Sequence, residues 1–146
     1  MGNHSSIERI NFEDIQESIK NKEKYIIINT LPITMQECLI FNTINYTQEE
    51  QIINGLINGL VKNISNKHII IYGKNANDIT IYDKYEQLIK LGFTNVYVYS
   101  GGMFEWLCLQ DIYSPENFPT NKKELDILKY KPDSILNKLY LTDGLD

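Results

Sequence analysis

The residues able to do chemistry are few and scattered. Two cysteines, Cys38 and Cys108, and two histidines, His4 and His68, are the candidate nucleophiles and soft metal ligands, and no spacing among them suggests a metal site. Cys108 lies in "WLCLQD", two residues after Trp106, on a stretch with helical character. It reads as a packed structural thiol, and Cys38, at the head of an apolar run, reads the same way. The more suggestive place is "IIIYGKNAND", residues 69 to 78. A buried-strand pattern gives way to a polar loop, and a helix pattern follows. In α/β proteins such a corner aims backbone N–H groups and a helix N-terminus at an anion or a reacting group. This loop offers Gly73, Lys74, Asn75, Ala76, Asn77 and Asp78, with no serine, threonine or cysteine among them. Lys74, Asn75 and Asn77 could hydrogen-bond a guest. The plainer reading is a set of turn residues in which Asp78 or Thr80 caps the next helix.

The elements that must hold this corner follow from hydrophobic patterning. "NFEDIQESIK" (11 to 20) predicts a short helix capped by Asn11, with Phe12, Ile15 and Ile19 on one face. "YIIINT" (25 to 30), "HIIIY" (68 to 72) and "NVYVY" (95 to 99) read as strands covered on both sides, and "CLIFNTI" (38 to 44) as a weaker strand. "TQEEQIINGLINGLVKNI" (47 to 64) predicts a helix with a Thr47–Glu50 capping box. "TIYDKYEQLIKLGF" (80 to 93) predicts another, with Leu88 and Leu91 inward and Gly92 at its stop, and "MFEWLCLQD" (103 to 111) a further one. Residues 122 to 130 and 133 to 141 suggest two short helices on the outside, separated at Pro132. Strands alternating with helices give an α/β class with a mainly parallel sheet.

Composition narrows the options. The chain has 146 residues, 42% of them apolar, enough for one domain with its own core. Net charge is -5, and Arg9 is the only arginine, so nucleic acid, which is gripped by neutralising phosphates, is disfavoured. No apolar run approaches the roughly 18 residues of a membrane span. Two cysteines and no signal-peptide pattern predict a cytoplasmic, reducing setting. "MGNHSS" fits an N-myristoylation pattern, with Gly2 exposed after loss of Met1 and Ser6 at the required spacing, against the alternative of an ordinary polar tail. One acyl chain without a basic patch would give weak, reversible membrane attachment. No cofactor is suggested. Ten tyrosines, Tyr82, Tyr85, Tyr97, Tyr99 and Tyr113 among them, are enough to build an interaction face.

"NVYVYSGGMFEW" resembles the closing signature of rhodanese-like domains: a last strand, two glycines, and a helix bearing Trp106. "KHIIIYGK" is similar to the family's strand before the active-site loop, "LIKLGFTNVYVY" to its next helix and strand, and "YIIINTL" to its first central strand. The resemblance covers about residues 11 to 107, and the small rhodanese-like proteins of large DNA viruses look most similar. It implies a parallel sheet of about five strands flanked by helices. With the chain's own patterning this gives a tail over 1–10, a rhodanese-like domain over 11–120 and a helical extension over 121–146 packed on the domain. It also implies that the family's catalytic cysteine falls on Gly73. Where members often carry an Asp and an Arg, this chain has Asn29 and Leu31. The expectation is a catalytically inactive module that binds an unidentified protein partner or serves structurally, tethered through Gly2. The alternative is a sulfurtransferase or sulfur carrier using Cys108 or Cys38.

Overall fold

The computed structural model describes residues 7–59 and 66–136. Four parallel strands form one sheet: β1 (Glu8–Ile10), β2 (Tyr25–Asn29), β3 (His68–Tyr72) and β4 (Val96–Tyr99), in the order β1-β4-β3-β2. Among the described residues four α-helices connect and cover them: α1 (Phe12–Ile19), α2 (Tyr46–Ile57), α3 (Thr80–Lys90) and α4 (Gly102–Ile112). The architecture is the expected α/β class, with four strands among the described residues.

The two-residue period of a strand sorts side chains into two cores. Ile27, Ile70, Tyr72 and Tyr99 face one way and pack with Ile15 of α1 and Met103, Trp106 and Leu107 of α4. Ile26, Ile28, Ile69, Ile71, Val96 and Val98 face the other way and pack with Ile53 and Leu56 of α2 and Ile81 and Leu88 of α3. This two-sided burial is why the strands read as unbroken apolar runs.

Several boundaries differ from the sequence reading. Residues 8–10, assigned to a tail, are the edge strand β1, paired with β4 so that Glu8 lies opposite Tyr97 and Ile10 opposite Tyr99. Residues 38–44 are not a strand of the sheet. They make isolated bridges at Ile27–Thr43 and Ile40–Thr120. Their backbone groups find other partners: Ile40 N–H donates to the Tyr72 hydroxyl, Leu39 N–H to Asn121 Oδ1, and Phe41 N–H to the Pro119 carbonyl. Helix α2 is capped by Asn45, whose side chain accepts from Thr47 N–H, in place of the Thr47 box. Gly59, with φ of 78°, follows its end, and the proposed continuation over 60–64 lies outside the described residues. Leu91, expected inward, is 42% exposed, whereas Leu88 is buried. Gly92, with φ of 104°, does stop α3.

The C-terminal segment also departs from expectation. Residues 122–130 form only a short 3-10 helix, Ile127–Tyr130, and Tyr130 is fully buried in the α1–α4 core. The segment from 119 to 130 therefore straps the domain. The expected helix over 133–141 falls mostly outside the described residues.

Asn11 and Asp14 form a reciprocal capping box at the start of α1. Replacing Asn11 with Ala is expected to lower unfolding free energy by about 1 kcal/mol, as measured by urea denaturation.

Candidate functional site

The Gly73–Asp78 loop follows β3 at the carboxyl end of the parallel strands, where α/β proteins place their ligand sites. Three of its backbone donors, on Lys74, Asn77 and Asp78, are already in use. Lys74 N–H donates to Asp78 Oδ2 at 2.8 Å, and Thr80 N–H to Asp78 Oδ1 at 3.0 Å. Asn77 N–H donates to Asn75 Oδ1 at 2.9 Å, and Asp78 N–H to the Asn75 carbonyl at 3.1 Å. The carboxylate of Asp78 thus sits against the loop's own backbone, where an external anion would need these donors. Asp78 Oδ1 also accepts the Thr80 N–H and hydroxyl, an Asx turn just ahead of α3, whose N-cap is Ile79 with no side-chain bond, so the expected capping by Asp78 or Thr80 is replaced by this turn.

Gly73 is crowded as well as bare. A Cβ added there would lie 2.5 Å from Asp78 Oδ2 and 3.0 Å from a methyl of Ile81. A side chain at this position requires the Asp78 carboxylate to move.

The other wall of the corner is α4. Met103 N–H donates to the Gly73 carbonyl and Phe104 N–H to the Lys74 carbonyl, each at 2.9 Å. The loop thereby satisfies two of the donors a helix leaves open at its start. Gly102 makes this approach feasible. Its φ is 69°, and a Cβ would meet the Gly73 carbonyl at 2.8 Å and Asn75 N at 2.9 Å.

The sequence-predicted site residues separate into two groups. Asn75 is buried, and its side-chain amide donates to the Tyr130 carbonyl at 2.8 Å, joining the loop to the C-terminal strap. Lys74 is half-buried, while Ala76 and Asn77 are exposed beside Ile79, which is 72% exposed. Asn29, at the end of β2, is buried and bonded to Gln36 and to Leu31 N–H. Gly2 and His4 lie outside the described residues.

Neither cysteine belongs to the Gly73–Asp78 loop. Cys38 is buried and directs its thiol to the Lys122 carbonyl at 3.1 Å. Burial pushes its pKa up, with Thr120 opposing. Cys108 is half-buried, its pKa raised by burial and then by Asp111 and Glu105. Both effects favour thiol over thiolate, the reactive form. Nearby tyrosines are likewise held protonated. Burial raises Tyr72 and Tyr99, with Glu105 accepting the Tyr99 hydroxyl at 2.6 Å, and it pushes Tyr130 up to about 12. Among the described residues no group of His, Cys, Asp and Glu could hold a metal, and no helix is long and apolar enough to cross a membrane.

What sequence reasoning missed is the bond from Lys74 N–H back to the Asp78 carboxylate and the strap contact through Tyr130. The first depends on which way a loop side chain turns, which the turn composition alone does not specify. The second had no local signal, since Asn75 and Tyr130 are 55 positions apart.

A parallel sheet with helices on both faces and a loop-bearing corner after β3 defines the class. More narrowly, the chain belongs to the rhodanese-like domain family, whose model matches residues 16–108. Solved structures agree at the level of fold. A single-domain sulfurtransferase from Saccharomyces cerevisiae is similar with a TM-score of 0.53 and 16% identity, covering 76% of this chain and 97% of its own. A Bacillus halodurans protein gives 0.54 and 20%, covering 94% of this chain and 90% of its own. An Anabaena protein gives 0.54 and 16%, covering 82% and 86%. Among curated proteins none is similar enough in sequence to count as a relative.

Two measurements check the site. Gly102→Ala is expected to cost about 2 kcal/mol or more, from its left-handed backbone and the clash with the loop, read by urea denaturation. In the folded protein near neutral pH, both cysteines are expected to alkylate more slowly than free cysteine, Cys38 slowest, and to converge on the free rate in denaturant. Quantitative mass spectrometry of alkylated peptides reads this directly.

Proposed function

We propose that the chain is a catalytically silent rhodanese-like module that binds a protein partner, with Gly2 as an acylation site that tethers it weakly to membrane. The observation carrying this reading is the Asp78 carboxylate bonded to Lys74 N–H, in the space a Cβ at Gly73 would enter. By family resemblance Gly73 stands where the catalytic cysteine would be, and glycine has no atom to carry sulfur or phosphate. A fixed negative charge in the same cradle opposes thiosulfate and phosphate alike.

Partner contacts in this reading use the exposed side of the loop. Lys74 and Asn77 supply polar contacts, Ile79 an apolar one, and Asn75 positions the loop through its bond to the Tyr130 carbonyl. The Saccharomyces neighbour is a sulfurtransferase, but likeness of fold does not carry its activity here. Were turnover found, Cys108, the more accessible thiol, would be the first nucleophile to test and Cys38 the second.

Thiosulfate:cyanide sulfurtransferase and phosphatase assays are expected to read at the heat-killed background, and turnover clearly above it would overturn the silent reading. Gly73→Cys alone is expected to stay at background, because the Asp78 carboxylate would crowd the new thiol and hold its pKa high. Intact-mass measurement after expression in a eukaryotic host is expected to show loss of Met1 and one added myristoyl group. An unmodified or acetylated Gly2 would end the tether proposal.

A further inference from the structure

Far from the Gly73–Asp78 loop, at the amino ends of the strands, three rings lie side by side on the α1 face of the sheet. Tyr25, His68 and Tyr97 come from β2, β3 and β4. The Tyr25 and His68 ring centroids are 5.4 Å apart, and those of His68 and Tyr97 5.7 Å apart with planes within 9° of parallel. His68 Nδ1 lies 2.9 Å from the Tyr97 hydroxyl, which fixes this pair in place. The rings, with Ile70 beneath, line a cavity of about 190 Å³, and Asp14 and Glu17 of α1 form its opposite wall.

The charges around this cavity are mostly negative. Asp14 accepts the Asn11 N–H in the capping box, so its carboxylate is held in position. Glu17 has no side-chain hydrogen bond or ion pair among the described residues. Glu8 lies opposite Tyr97 in the β1–β4 register and adds a third carboxylate, raising the Tyr97 pKa after burial and Tyr25. Lys24 is the nearby cation, and its ammonium already stands 5.3 Å from the centre of the Tyr25 ring. The rings thus attract an ammonium within the chain itself. Burial, then Lys24, lowers the His68 pKa, which favours the neutral imidazole, the form that does not repel a cation.

We propose that this pocket binds an organic ammonium ion of the choline or alkylated-amine class, with its charge over the rings and against the α1 carboxylates. Aromatic faces favour weakly hydrated cations of this kind, while a hard metal ion would need a fuller cage of oxygens. The cavity is smaller than the roughly 300 Å³ at which drug-sized sites begin, which suits a compact head group. The site is separate from the loop after β3, so it stands or falls independently of the silent-module reading.

Choline is the probe, titrated into the full-length chain with the His68 and Tyr97 ring signals followed by NMR. Its uncharged isostere 3,3-dimethyl-1-butanol is titrated in parallel. Choline is expected to bind saturably, with the isostere about tenfold weaker, as loss of the cation–ring attraction implies. Tyr97→Leu is expected to weaken choline binding several-fold. Glu17→Gln, an exposed change that leaves the fold intact, is expected to weaken it as well. Absence of a saturable response to choline, equal binding of the isostere, or Glu17→Gln and Tyr97→Leu both binding as the parent does would each overturn the proposal.

Discussion

The contact on which the corner depends is between two backbones. The carbonyls of Gly73 and Lys74 dock on the first N–H groups of α4, and Gly102 permits the approach by having no side chain and a left-handed φ. This contact sets the position of the loop relative to the sheet. Trp106 follows one turn later in α4 and is fully buried. A helix start that would otherwise need solvent or a capping side chain is closed by the loop itself. Gly102, one of the two glycines that made the family recognisable in the sequence, is therefore there for a packing reason that holds whether or not the loop does chemistry.

Within that frame the loop meets part of its own polar demand. A cradle of N–H groups is a local positive site, and it needs a negative partner. Here the partner is covalently part of the chain: Asp78, which also accepts the N–H of Thr80, the first residue of α3. A carboxylate delivered from four residues away loses little entropy on binding, so an outside anion would compete against a very high local concentration. The Asn75 side chain plays the matching part on the other side, linking the loop to the strap at Tyr130.

Much of this was legible in the sequence, and the pattern of misses is physical. Strands β2, β3 and β4 showed themselves because two-sided burial demands long apolar runs. Asn11 and Gly92 marked their helix ends through local chemistry. Strand β1 did not show, since three residues carry no period and its pairing is with a segment about ninety positions away. The run at 38–44 misled for the opposite reason. Cys38, Leu39 and Ile40 are buried as a strand's would be, but their backbone partners are the Tyr72 hydroxyl, Asn121 and Pro119. Tyr130 was missed because one buried ring in a polar segment looks like any surface tyrosine. The position of the loop was legible; the inward turn of Asp78 and the burial of Asn75 were set by packing that no local pattern reports.

The lone tryptophan gives the molecule a built-in optical reporter. Trp106 is fully buried, meets Tyr99 and Phe118 edge-on, and donates its indole N–H to the Pro119 carbonyl at 3.0 Å. Its surroundings thus combine the end of β4 with the start of the C-terminal strap. Emission from this single fluorophore registers whether the strap is seated, and Tyr130, Asn75 and the loop are joined to the strap in turn. Light absorbed at one ring therefore reads out the closure of a corner that carries no chromophore of its own.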